Sequence, residues 1–340
     1  MSTQTLNLTL LDGWLRQHVP TFEGPLSAEK FAGGQSNPTF KLTAGENQYV
    51  LRRKPPGQLL ASAHMVDREY RVISALQPTN VPVPATIALC EDDSVIGSMF
   101  YVMEYLDGRV FWDPALEELS REDRLACYEE MNRVLAALHS IDIDAVGLAD
   151  YGKPGNYFDR QVARWTKQYR ASETETLPAM EKLIEWLPAH MPEDDGRVGL
   201  VHGDYRLDNL MWHPTEPKII AVLDWELSTL GNPIADLAYQ IMAWQLPRGA
   251  GINGMAGLNR ETLGIPSDAD YIATYCAHTG RKAIDNWDFY LAFCFFRLAA
   301  IVQGVKKRAL DGNASNADAA SQGDLVEPLV NMGVNAIKGR

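Results

Sequence analysis

The stretch LVHGDYRLDNLMWHP, residues 200–214, and the stretch IIAVLDWELSTLGNPIADLAY, residues 219–239, decide how this chain is read. They set Asn209 five residues after Asp204, and Asp224 fifteen residues after Asn209. A carboxylate at Asp204 can take a proton from an attacking hydroxyl. An amide oxygen at Asn209 and a second carboxylate at Asp224 are the hard oxygen donors that Mg²⁺ prefers. Base and metal ligands in this order point to metal-assisted phosphoryl transfer. Any one of these residues alone is weak evidence, because aspartates mostly serve local turns; the combination with Asp236, at the entry to a helix, is specific.

Working outward, 340 residues with 46% hydrophobic content are enough for a large core and for two lobes rather than one domain. The formal charge of −13 argues against nonspecific nucleic-acid binding. Cys90, Cys127, Cys276 and Cys294 are far apart and form no zinc-type pair, as expected of reduced thiols in a cytoplasmic protein. The first twenty residues lack a basic and then continuously apolar leader, so secretion is not expected. NWDFYLAFCFFRLAAIVQGV, residues 286–305, is the most apolar helix candidate, but Asp288, Arg297 and Gln303 within it predict a buried core helix and no membrane span.

The N-terminal part reads as an amphipathic helix near 7–18, strands in KFAGGQSNPTFKLTA (30–44) and NQYVLRRK (47–54), a helix at about 63–76, and two strands separated by a polar turn in ATIALCED (85–92) and SMFYVMEYL (98–106). That order predicts a small antiparallel lobe with one helix on it, ending at residue 107. From 108 to 340 helices dominate. One runs from Ser120 to His139, with Ser120 and Asp123 as a capping box and Leu125, Tyr128, Met131, Leu135 and Leu138 as the apolar positions. Others are predicted at 157–171, 178–190, 234–246, 267–279, 285–310 and 324–337, interrupted by short β-type runs between 198 and 225.

The H-G-D-x-x-x-x-N run, the D-W-E run and this two-lobe order resemble the aminoglycoside phosphotransferase and choline kinase group. YVLRRKPPG, YGKPGNYFDRQVARWTKQYRASE, HGDYRLDN and VLDWELSTLGNP carry a closer resemblance to the kinase-like domain joined to, or encoded beside, acyl-CoA dehydrogenases, members ten and eleven of that family in animals. The resemblance implies an α+β, protein-kinase-like bilobal fold binding ATP and Mg²⁺ between its lobes. It makes Asp204 the catalytic base and Asn209 and Asp224 the metal ligands, with Glu226 as a further Mg²⁺ ligand, direct or through water. Arg206 would face the transferring phosphate, or else serve as an arginine paired with a nearby carboxylate. His202 and Asp236 would brace the loop as packed, hydrogen-bonding residues.

In the N-terminal lobe the resemblance puts Arg52 where related kinases carry a phosphate-gripping lysine, with Glu69 as its partner and Lys54, on the same strand face, as the fallback. Gly34 and Ser36, in GGQSNPTF, would offer backbone N–H groups to phosphates. Met103 would lie behind the adenine, with the backbone of Glu104 and Leu106 at its edge. The implied acceptor is a small molecule, foremost a hydroxy fatty acid or its coenzyme A thioester, with an acyl-CoA dehydrogenase as a partner. The alternatives are a choline, ethanolamine or aminoglycoside kinase, and a non-catalytic nucleotide-binding partner of such a dehydrogenase. Two features bear on the acceptor: Arg160, Arg164 and Lys167, flanked by Lys153 and Arg170, form either a solvated basic face or an anion site, and Trp112, Tyr157, Trp165, Trp225 and Trp244 are the aromatics available for a cation cage.

Overall fold

The computed structural model describes residues 6–31, 37–55, 64–249, 253–312 and 323–338. They divide into two compact units. The first holds Met1–Arg109, Ala145–Leu148 and Asn209–Leu227; the second holds Val110–Asp144, Ala149–Asp208 and Ser228–Arg340.

The first unit is built on a five-stranded antiparallel sheet, β1 (Leu26–Lys30), β2 (Thr39–Ala44), β3 (Asn47–Arg53), β4 (Thr86–Cys90) and β5 (Phe100–Glu104), in the order β1-β2-β3-β5-β4. Alternation sets its faces. Phe40, Leu42 and Ala44 of β2 turn inward and the residues between them do not. Helix α1 (Leu8–His18) starts at Asn7, whose side chain accepts the N–H of Leu10, and buries Leu11 and Leu15 in the core with Leu42, Leu51, Phe100 and Val102. Helix α2 (Val66–Leu76) buries Glu69 along with Val72, Ile73 and Leu76, and a buried acid on an apolar face requires a partner. Where a polar turn was expected before β5, a short helix, Asp93–Ile96, forms instead. Asp92 caps its start, and Gly97, at φ +84°, closes it in the left-handed conformation that glycine adopts without strain.

The motif segment returns to this unit as an antiparallel hairpin of strands Leu210–Trp212 and Ile219–Val222, with Leu210 opposite Val222. The Val222 N–H donates to the Pro82 carbonyl, which anchors the hairpin at long range.

The second unit is helical. Helix Arg121–His139 is capped as the sequence predicts: the Ser120 hydroxyl accepts the Asp123 N–H and donates to the Asp123 carboxylate. Leu125, expected in the core, is 39% exposed. Arg124 takes the inward place, its guanidinium donating to the carbonyls of Leu116, Leu119 and Leu263, three acceptors that offset burial of its charge. Helices Tyr157–Ser172, Pro178–Ala189, Ile234–Trp244 and Val326–Ala336 surround the 24-residue helix Trp287–Leu310, and Asp268–Thr279 packs on Arg121–His139. The helix Trp287–Leu310 is long and apolar enough to cross a membrane by composition, but 78% of its most apolar window is buried against its neighbours.

Candidate active site

In the second unit, the strand Gly199–Val201 delivers the chain to the loop carrying Asp204. Gly203 sits at φ +85°, which only glycine adopts freely, so the chain turns sharply one residue before the candidate base. Asp236, in the first turn of helix Ile234–Trp244 and 1% exposed, holds that turn. Its carboxylate accepts the N–H of His202 at 2.6 Å and of Gly203 at 2.8 Å, and meets His139 Nε2 at 3.2 Å. Burial opposes its ionisation, but His139, His202 and the Gly203 N–H outweigh it and keep its pKa below the usual carboxylate value. His202 is fully buried and its Nδ1 accepts the Asp204 N–H at 3.2 Å, so it braces the loop as expected.

Two residues not foreseen as part of the site complete this arrangement. The buried Arg297 donates Nη2 to the Gly203 carbonyl at 2.9 Å, and its guanidinium lies 5.3 Å over the Tyr239 ring. Tyr239 hydrogen-bonds the Asp204 carboxylate; burial first, and that carboxylate second, push its pKa up, so it remains a protonated donor. An arginine inside an otherwise apolar helix was the available signal for Arg297, since a buried charge must find acceptors. The Arg206 guanidinium spans two acids, with Nε 3.2 Å from Asp204 Oδ1 and Nη2 2.8 Å from Asp208 Oδ2. It is thus the carboxylate-paired arginine of the sequence reading, but one of its partners is the candidate base itself.

The first unit holds its own polar cluster. Arg52, on β3, places Nε 2.7 Å from Glu69 Oε2 and Nη2 2.6 Å from Asp224 Oδ1. Glu69 also accepts from Asn37 Nδ2 at 2.7 Å and from the Tyr101 hydroxyl at 3.2 Å. Burial raises the pKa of Glu69, and Arg52 counters only part of that rise. Burial acts to lower the pKa of Arg52, but Glu69, Asp224 and Glu226 prevail and it is raised. The fallback, Lys54, lies 3.8 Å from Asp67 instead.

Hairpin register explains why Asn209 and Asp224 belong together. The Leu223 N–H donates to the Asn209 carbonyl at 2.8 Å, one residue before Asp224, so both expected ligands leave the same end of the hairpin. Asp224 has φ +62°, a left-handed conformation that is uncommon outside glycine and typical of functional positions. Arg52 takes its Oδ1, which leaves Oδ2 for a cation. Glu226 follows in the short helix Trp225–Leu227 and acts electrostatically on both Arg52 and Glu69. No group of three His, Cys, Asp or Glu side chains suited to a metal occurs among the described residues. A sparse set of an amide and one or two carboxylates nevertheless fits Mg²⁺, which keeps waters and phosphate oxygens as its remaining ligands.

Gly34 and Ser36 lie outside the described residues. Met103 is 9% exposed on β5, opposite Val50. The Glu104 N–H donates to the Ala85 carbonyl and its carboxylate accepts the Ala85 N–H, so its side chain is committed to the neighbouring backbone. Leu106 is half-buried just beyond.

Residues 27–285 match the model of a family described as the phosphotransferase enzyme family. This chain belongs to that family. The phosphotransferase is 50% identical over 310 residues to acyl-CoA dehydrogenase family member 10 of Mus musculus, covering 91% of this chain and 29% of the relative. It is 44% identical over 333 residues to human acyl-CoA dehydrogenase family member 11, covering 96% of this chain and 43% of the relative. The chain therefore spans less than half the length of these relatives. Among solved structures, a protein of Ralstonia eutropha provisionally assigned as an aminoglycoside phosphotransferase superposes with a TM-score of 0.91 at 52% identity, over 98% of this chain and 99% of that one. A thermostable aminoglycoside phosphotransferase in ternary complex with ADP and hygromycin B shares the fold, with a TM-score of 0.62 at 14% identity over 96% and 98% of the two chains. The chain thus has the protein-kinase-like α+β fold.

Beside the base loop, within the second unit, lies a cavity of about 280 Å³ lined by Trp112, Arg206, Asp208, Gln240, Trp244 and Asn253, among others. Of the five aromatics considered for a cage, only Trp112 and Trp244 reach it. Tyr157 and Trp165 pack in the helical core, and Trp225 is buried in the first unit. The basic face of helix Tyr157–Ser172 is also largely committed. Arg160 donates to the carbonyls of Lys153, Pro154 and Gly155, and Arg170 pairs with Glu173 and Glu181.

Proposed function

We propose that this phosphotransferase moves the γ-phosphoryl group of ATP, with Mg²⁺, to a hydroxyl on a hydroxy fatty acid or its coenzyme A thioester. The charge balance of the cavity beside the base loop carries the acceptor reading. Its one cation, Arg206, is paired with its one carboxylate, Asp208, and the remaining lining is amide, tryptophan and aliphatic. A polycationic aminoglycoside calls for several unpaired carboxylates. A choline headgroup calls for several free ring faces. Trp244 already has the Arg260 guanidinium 5.6 Å over its ring and the rings of Tyr128 and Tyr271 edge-on against it, which leaves the exposed Trp112 alone. An uncharged acyl segment suits such a wall. The names of the relatives, acyl-CoA dehydrogenase family members, support acyl-CoA chemistry and an association with a dehydrogenase of that kind.

In this reaction Asp204 orients the acceptor hydroxyl and takes its proton as the hydroxyl oxygen bonds to the γ-phosphorus and the bond to ADP breaks. Tyr239 and His202 hold Asp204 in place, and Arg206 sets a positive charge beside it. Asn209 and Asp224, with Glu226, would hold Mg²⁺, which when bound offsets phosphate charge. Arg52, oriented by Glu69, supplies a second cation for the phosphates. The test is ATP turnover by the purified protein against 4-hydroxyacyl-CoA, choline, ethanolamine and an aminoglycoside. Phosphorylation of the hydroxyacyl compound above the others is expected. Preference for an amine acceptor would overturn the acceptor class, and thermal stabilisation by nucleotide without transfer to any of them would favour a binding role.

A further inference from the structure

The helix Ile234–Trp244 places two adjacent polar side chains on the two parts of the site. Tyr239 bonds the Asp204 carboxylate, and Gln240, the next residue, lines the neighbouring cavity with Arg206, which also touches Asp204. Gln240 is 1% exposed. Its Oε1 accepts the Tyr271 hydroxyl at 3.0 Å, while its Nε2 is buried with no partner. The Tyr271 hydrogen bond fixes which way the amide faces. Tyr271 is itself buried and its single proton has Gln240 as its acceptor, so reversing the amide would strand that proton and Oε1 together. The residue therefore lines the cavity while it keeps a buried donor with nothing to receive it, in a protein interior where such groups are almost always satisfied.

We propose that Gln240 is a specificity-determining residue that donates Nε2–H to the carbonyl oxygen of the acceptor's acyl group. This assignment rests on the acyl-hydroxyl reading above and narrows it. The reacting hydroxyl belongs to Asp204, so the cavity must take a second oxygen on the same molecule, and that oxygen must accept. A carbonyl does so without bringing charge into a lining already neutral. The cavity, about 280 Å³, falls just below the usual range of ligand pockets, roughly 300–1,000 Å³. It suits a short acyl segment between hydroxyl and carbonyl rather than a multi-ring antibiotic. Tryptophans 112 and 244 supply apolar surface for the methylenes. A site built around such a donor rejects an analogue that lacks the matching acceptor, because the buried N–H is then left unmet.

The experiment compares two acceptors, a 4-hydroxyacyl-CoA thioester and the otherwise identical thioether in which CH₂ replaces the carbonyl, with wild-type protein, Gln240→Leu and Gln240→Glu. The wild type is expected to favour the thioester by roughly 100-fold in kcat/KM, the scale of leaving one buried donor unmet. Gln240→Leu collapses that preference toward unity through a higher KM for the thioester, with KM for ATP unmoved. Gln240→Glu keeps an acceptor for Tyr271 but loses the donor, and must lose the preference too, which decides the matter if the leucine variant does not fold. Wild-type turnover with the preference intact in either folded variant overturns the role of Gln240 alone. Wild-type protein that phosphorylates neither compound overturns the acyl-acceptor reading and this assignment with it.

Discussion

Asp236 shows how much of this site's organisation rests on a residue that touches no substrate. It gathers two backbone N–H groups and a histidine around one buried carboxylate, so Asp236→Asn replaces an all-acceptor group by one that must turn its NH₂ toward donors. Removing one partner from a buried charge network costs about 3–5 kcal/mol. A loss of that size is expected in denaturant-derived stability, together with a fall in turnover, since the Gly203 turn positions Asp204. The pH dependence follows from the sign of the shift. The folded pKa of Asp236 lies below its unfolded value of about 3.9, so its contribution is complete above that value and is lost only as pH falls through the lower folded one. Stability from this group is therefore flat between pH 5 and pH 8 by that reasoning, roughly, and an acid limb appears only below about pH 4. A variant whose stability deficit disappears at neutral pH would contradict this role.

Among the elements, the strand Thr229–Gly231 pairs with Gly199–Val201, the strand leading into the base loop. A Cβ on Gly231 would come within 2.4 Å of the Tyr157 ring. Gly231→Ala should therefore lower stability by about 1–3 kcal/mol, the usual result of forcing a side chain into a packed core. An unchanged denaturation midpoint would show that Tyr157 yields freely. Much at this scale is legible in the sequence. The 3.6-residue pattern and the Ser120 cap mark the long helices to within two or three residues. The H-G-D-x-x-x-x-N and D-W-E runs mark the family. What escapes is what only tertiary contact decides: the inward turn of Arg124 in place of Leu125, the return of the Leu210–Val222 hairpin to the first unit, and Arg297, Tyr239 and Gln240 as neighbours of the base. Residue type alone does not separate these from ordinary core tyrosines and glutamines, because their meaning lies in which atom they are left to bond.

For the molecule as a whole, each unit has its own chemistry. The first offers candidate cation-binding oxygens and the Arg52–Glu69 pair, and the second offers the proposed base, its braces and a neutral cavity. This division predicts separable defects. The most direct test is the Asp204→Ala protein, with phosphoryl transfer to the accepted substrate measured alongside its affinity for MgATP. The account predicts that transfer falls by about 10²–10⁴-fold, the usual range for a positioned general base, while MgATP affinity stays near wild type. Transfer at the wild-type rate in Asp204→Ala would contradict it.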